Sequence, residues 1–233
     1  MKYILLSLLS LFLFSCASSQ GFNRDKMRSD LSENAVKTEA DIEEILNLKA
    51  QLPKKFKLAV YFKNHTAYYH YGYTRWTANN KEHLKELRND LIKKGIVSDV
   101  VIINDSILKG SKLKDIRIAA ARAGADAVMV IDGISSVDKY NNPLGATYCL
   151  IVTPFFIPGT EADALFVSRA NLWDVRNEYL YLSVESEGLA NETRPAFFIE
   201  NERVIEKAKN ESLKNLAPDI LERIIQMELN SRN

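Results

Sequence analysis

The run Ala125-Asp126-Ala127-Val128-Met129-Val130-Ile131-Asp132 constrains the fold of this chain more than any other segment. Between its two aspartates every side chain is apolar, so a strand formed here must be covered on both faces. A helical pattern from about Ser111, with Leu113, Ile116 and Ala120 inward, leads into it and stops at Gly124. Upstream the same order occurs. A helix from Asn79 or Asn80 carries Leu84, Leu87 and Leu91, stops at Gly95, and is followed by the β-branched run Val97 to Ile103, which reads as a buried strand. Phe56 to Phe62 precedes both units and alternates, placing Phe56, Leu58, Val60 and Phe62 on one face. Strand, helix and strand in this order predict right-handed crossovers onto parallel neighbours.

The pattern changes after Asp132. Strands at roughly 144–156, 162–175 and 179–187 follow without helices between them, turning at Pro158-Gly159 and Asn177-Glu178, and so predict an antiparallel meander. A long helix from about 201 uses Val204, Ile205, Ala208 and Leu216, kinks or restarts at Pro218, and continues through Ile220, Leu221, Ile224 and Ile225. The fold class is α/β (α+β): a single domain over residues 38–230, with a mixed sheet and helices packed on it. Thr38-Glu39-Ala40-Asp41 reads as a capping box opening its first helix, with Ile42, Ile45, Leu46 and Leu52 on the inner face.

The other informative segment is the N-terminus. Met1-Lys2, the apolar run Ile4 to Phe14 and Ser15 before Cys16 have the layout of a secretory leader over residues 1–15. Leu13-Phe14-Ser15-Cys16 resembles the lipobox of bacterial lipoproteins, with Phe14 implying a loose, spirochaete-like version. That resemblance implies that Cys16 is acylated and becomes the mature N-terminus. The leader is too short for a spanning helix, which needs about 20 apolar residues, so the membrane contact expected is the lipid on Cys16. Two or more acyl chains anchor a protein stably where one does not. Ala17, which is not the Asp that retains enteric lipoproteins in the inner membrane, favours the periplasmic face of the outer membrane over the inner membrane or cell surface. Residues 16–37, polar and poor in aromatics, read as the lipidated Cys and a flexible tether.

Charge excludes several function classes. Lys and Arg number 31 against 30 Asp and Glu, and Lys2 leaves with the leader, so no basic footprint for nucleic acid remains. With Cys16 acylated, Cys149 has no partner for an intrachain disulfide, and its apolar surroundings suggest a buried, inert thiol. No glycine-rich phosphate loop, Gly-x-Ser-x-Gly elbow or His-Glu-x-x-His motif occurs. His65, His70 and His83 do not make a zinc pattern, and no cofactor or metal is implied. Asp126, Asp132 and Asp138 share parity on one strand, and Glu161 with Asp163 follows a turn. Paired carboxylates such as Asp132 with Glu161 could serve glycan chemistry, but caps and turn contacts are the plainer reading.

The stretch from His65 to Trp76 is the candidate binding surface. Tyr68, Tyr69, Tyr71, Tyr73, Arg75 and Trp76 belong to the residue types that dominate interface hot spots. The same rings could instead roof the end of the sheet. Phe155-Phe156-Ile157-Pro158 sits at an expected hairpin tip, where exposure would mark an interface or membrane contact, but packing under the final helix is the expectation.

Four segments resemble the rhombotarget lipoproteins: Lys57 to Phe62, Gly124 to Val130, Ile151 to Asp163 and Leu172 to Tyr181. The terminal helix departs from that family. A looser fold-level likeness, carried by Ile118 to Ala127, is to the curli secretion channel subunit and the activators of penicillin-binding proteins. The combined expectation is a non-catalytic, membrane-anchored envelope lipoprotein that binds a protein partner. The alternatives are a self-assembling channel or scaffold subunit, which admits a homo-oligomer, and a cell-wall enzyme.

Overall fold

The computed structural model describes residues 18–33, 35–36, 41–64 and 75–230. Its sheet has five strands: β1 (Phe56–Phe62), β2 (Val97–Ile103), β3 (Ala127–Asn141), β4 (Thr160–Asp174) and β5 (Leu180–Arg194), in the order β2-β1-β3-β4-β5. β1 pairs in parallel with β2 and β3, whereas β3, β4 and β5 form an antiparallel meander. The α/β class, the parallel units and the meander are therefore as expected. The helices are α1 (Arg24–Glu33), α2 (Ile42–Asn47), α3 (Ala78–Lys93), α4 (Leu113–Arg122) and α5 (Asn201–Asn230).

Two layers of helix cover the sheet. On the front, Leu84, Leu87 and Leu91 of α3 and Val204, Ala208, Leu213 and Ile220 of α5 bury against Leu58, Val60, Met129, Phe166 and Leu172. Phe56, Leu58, Val60 and Phe62 share this face, as their alternation predicts. On the back, Leu113, Ile116, Ala119 and Ala120 of α4 pack on Ala59, Tyr61, Val128 and Val130. Burial on both faces explains why β3 lacks a polar alternation over its first half. α3 begins with Thr77 and Asn80 in a reciprocal capping box, and the turns after α3 and α4 place Gly95 and Gly124 at positive φ. α5 runs through Pro218 as one helix. It approaches β5 closely where Gly188 faces Ala208 and Ser212, leaving no room for a Cβ.

Three expectations fail in this architecture. β2 is an edge strand with Ile102 exposed, because only β1 pairs with it. Residues 144–156 are not a strand. β3 itself supplies the first strand of the meander, and Pro143–Cys149 and Thr153–Phe155 form 3-10 turns. Pro143 and Pro154 lack the amide a ladder needs, and Thr153 Oγ1 bonds the Thr147 and Leu150 carbonyls locally. The expected inner face of the first helix is also wrong: Ile42 is 77% and Leu46 79% exposed on the six-residue α2. Asp41 caps that helix, while Thr38, Glu39 and Ala40 lie outside the described residues.

The segment expected to be a loose tether carries α1, which lies on the back of the sheet. Met27 and Leu31, four apart and so on one face, bury against Leu165 and Val167. Arg24 and Arg28 pair with Glu187 and Glu185 of β5. Arg169 forks onto Asp132 at 3.0 and 3.3 Å and also donates to the Leu31 carbonyl at 2.9 Å, near the C-terminus of α1. Ahead of the helix, one Asp138 carboxylate oxygen accepts from Ser19 Oγ (2.6 Å), the Gln20 amide (2.8 Å) and the Gly21 amide (2.8 Å).

Candidate functional site

The candidate binding residues divide between described and undescribed parts of the chain. Tyr68, Tyr69, Tyr71 and Tyr73 lie outside the described residues, as does Cys16. Trp76 is described and is only 7% exposed. Its ring stands 5.2 Å from Phe62 and 5.7 Å from Phe166, its Nε1 donates to the Lys63 carbonyl, and Lys209 Nζ lies 5.7 Å over its face. Lys209 also donates to the carbonyl of Arg75. Trp76 thus closes the core above β1 and is not offered to a partner. Arg75 is exposed beside it.

The acidic candidates are also placed. Asp132 and Glu161 lie on the same face of the sheet, but Asp132 is opposite Arg169 and Glu161 opposite Tyr140. Eight strand positions separate the two, about 27 Å at 3.4 Å per residue. They cannot flank one bond, and Asp132 serves as the counter-ion of Arg169. Asp126 is held below its ordinary carboxylate value. Burial pushes the other way, but the Lys57 amide and the Arg176 guanidinium outweigh it. Asp163 accepts from Tyr140 and Asn191. The bonds to Glu161 and Asp163, together with burial, push the Tyr140 phenol upward. Among the described residues no group of His, Cys, Asp and Glu could hold a metal, and no helix is long and apolar enough to cross a membrane.

The structure exposes two surfaces at the ends of the long β3–β4–β5 ribbon, a cleft of mixed polar and apolar lining and an apolar tip. At the hairpin end, an open cleft of about 1210 Å³ is lined by Leu52, Phe56, Ile96, Tyr179, Tyr181 and Met227, among others. The Tyr181 hydroxyl fastens its rim, accepting from the amides of Gln51 and Leu52 and donating to Asp174 at 2.7 Å. Burial and the Asp174 charge push that phenol upward. Asn177 holds the Lys49 carbonyl, so α2 with Ile42 and Leu46 is tied to this end.

At the opposite end, residues 142–159 and 196–198 form an apolar tip. Ile151 is 87% and Phe156 78% exposed, and Phe155 stacks on Phe197 at 4.3 Å. Two expectations are corrected here. Phe155 and Phe156 do not pack under the final helix, and Cys149 is exposed, because the segment turns outward as 3-10 helix instead of entering the sheet. The signal that could have found the tip is the absence of charge: no Asp, Glu, Lys or Arg occurs between Lys139 and Glu161.

No family model matches the chain, and no curated protein matches it. Among solved structures it is similar to a minor lipoprotein from Acinetobacter baumannii, at 13% identity and TM-score 0.36, covering 78% of this chain and 96% of that one. It is also similar to rare lipoprotein B from Shewanella oneidensis, at 13% identity and TM-score 0.34 over 76% and 99% of the two chains. A third is a PelC dodecamer from Paraburkholderia phytofirmans, at 17% identity and TM-score 0.31 over 72% and 89%. Likeness at this level assigns neither family nor function, and the resemblance to the rhombotarget lipoproteins rests on the segments quoted above.

Proposed function

We propose that this chain is a non-catalytic lipoprotein of the bacterial envelope, anchored through an acylated Cys16, that serves as an accessory module for a protein partner. The observation that carries the reading is the place of the anchor. The lipobox-like segment ends at Cys16, three residues before Ser19, which Asp138 fastens to the sheet. A lipid at Cys16 is then joined directly to a folded body. The end of the ribbon with the cleft and α2 lies furthest from it, and that end is the surface we assign to the partner. The undescribed stretch around Tyr68, Tyr69, Tyr71 and Tyr73 remains a candidate for the same contact. Ala17 after Cys16 supports the outer membrane, periplasmic face.

The carboxylates support the absence of catalysis, since Asp126, Asp132 and Asp163 are each engaged by a neighbouring donor. A channel subunit would need free lipid-facing strands. β3, β4 and β5 have 15 residues each, more than the 9–11 that span lipid. However, α5 covers the front face of all three, and α1 and α4 cover parts of β3 and β4 from behind, leaving the back of β5 open, with Leu189 56% exposed.

In-cell photo-crosslinking from Leu46 tests the reading, with Lys139 as the comparison site. The expected result is an adduct to one other envelope protein from Leu46 that disappears in Ile42→Asp while the protein stays folded and membrane-bound. Adducts only between copies would replace this reading with self-assembly. A Cys16→Ser protein that stays as firmly membrane-bound as the native one would remove the anchor.

A further inference from the structure

We propose that the apolar tip formed by residues 142–159 and 196–198 inserts into the lipid leaflet beside the acyl anchor, so that the domain is held in contact with the bilayer. The inference rests on acylation of Cys16.

The course of the N-terminal segment over the sheet sets the direction. The Leu31 carbonyl meets Arg169, which faces Asp132 on β3. Arg24 meets Glu187, which lies across Val167 from Ile134. Ser19, Gln20 and Gly21 meet Asp138. Each step toward the N-terminus therefore moves along β3 toward Asn141, where the tip begins. From Ser19 the chain back to Cys16 can reach no more than about 11 Å. Asp138 is three strand residues from Asn141, about 10 Å. A lipid on Cys16 is therefore within reach of the level of the tip.

The tip is built for that place. Its exposed side chains include Leu150, Ile151, Val152, Phe156, Phe197 and Phe198. Backbone polar groups in lipid must be satisfied internally, and here many are. Asn142 N bonds the Gly159 carbonyl, Leu150 N that of Thr147, and Thr153 N that of Leu150. Phe156 N and Ile157 N both bond that of Thr153. The Tyr148 hydroxyl accepts from Gly159 N and donates to the Ile157 carbonyl. The two ends of the segment are clamped where Gly145 touches Gly159, a contact too close for any Cβ. Apolar side chains thus point outward from a loop much of whose backbone is already bonded. A contiguous exposed patch of this kind marks a membrane or protein contact, and the course of residues 31 to 19 toward it selects the membrane.

Cys149 lies in the tip and is exposed, and with Cys16 acylated it is the remaining thiol. The test attaches an environment-sensitive fluorophore to Cys149 of the mature lipoprotein, reconstituted in phosphatidylethanolamine–phosphatidylglycerol vesicles. A control protein carries the fluorophore at Lys49→Cys in a Cys149→Ser background. The expected result is several-fold stronger quenching at Cys149 than at the control by a lipid-borne nitroxide, with protection from aqueous iodide. Both effects should be lost in Ile151→Asp/Phe156→Asp. Equal iodide quenching at the two sites overturns the inference. So does shielding that grows with protein density without nitroxide quenching, which would assign the tip to a second copy. The intact mass of each protein reports acylation independently. A protein without lipid on Cys16 defeats the anchor, whereas an acylated protein with a water-exposed tip defeats only the insertion.

Discussion

At the hairpin end of the ribbon, where β4 turns into β5, polar side chains hold the parts together. Tyr181 joins the 49–52 segment to the buried Asp174, and Arg117 pairs with Glu178 while donating to the Val175 carbonyl. At the tip, the segment from Tyr140 to Thr160 holds no charged residue, and Tyr148, Gly159, Asn141 and Thr160 bond one another. The same three strands thus end in surfaces of opposite character. One is a cleft whose polar rim is fixed by hydrogen bonds. The other is an apolar tip whose interior is polar. Strand length and register are shared between the two ends, so the difference comes from the loops and side chains that each end carries.

The middle of the ribbon, where α1 is fastened, gives the largest expected effect. Asp132→Ala leaves Arg169 buried without its counter-ion and should cost about 3–5 kcal/mol in urea unfolding, with most of it recovered by Asp132→Leu/Arg169→Met. A loss below about 1 kcal/mol would show that the Leu31 carbonyl alone satisfies Arg169. Next comes the hairpin end. Tyr181→Phe strips Asp174 and two amides of a partner and should cost about 1–3 kcal/mol. Smaller again is Asp138→Ala at the tip end. Its three donors are exposed and can turn to water, so global stability should fall by about 1 kcal/mol or less. Faster amide exchange at Gln20 and Gly21 is the sharper readout. Unchanged exchange there would mean that Asp138 does not hold the N-terminal segment, and the contrast between the two ends would lose one side.

The elements readable in the sequence are those whose own side chains decide them. Val128 to Ile131 must be buried on both faces, Leu84, Leu87 and Leu91 can share only one helix face, and Gly95 and Gly124 mark stops that their positive φ requires. The errors arise where a distant partner decides. Residues 19–33 look soluble and loose until Asp138, Glu185 and Arg169 are brought beside them from more than a hundred residues away. Ile151 and Phe156 look like core because an apolar run in the sequence does not say whether the fold buries it or turns it outward. For Trp76 the sequence admits both surface and roof, and the neighbouring Phe62 and Phe166 place its ring in the roof.

Glu192, near the tip end of β5, gives the smallest effect and the one whose sign is most specific. It is buried, bonded by Arg194, and reached by Lys207 at 3.2 Å and Arg203 at 3.6 Å. Burial alone would push its carboxyl upward. The bonds from Lys207 and Arg194 outweigh it and hold the group below its ordinary value of 4.5. The unfolded chain then takes up this proton at a higher pH than the folded one. The stabilisation is complete above about 4.5 and is lost as pH falls through the folded-state value. Glu192→Gln should therefore lower the denaturant midpoint at neutral pH, and the gap to the native protein should shrink as pH falls below 4.5. Asp126 is depressed for the same kind of reason and has the same sign, so the variant retains a residual acid slope. A gap that stays constant through that range would mean that Glu192 contributes through packing and not through its charge. The tip end would then have no ionic fastening of its own to set against the hydrogen bonds of the hairpin end.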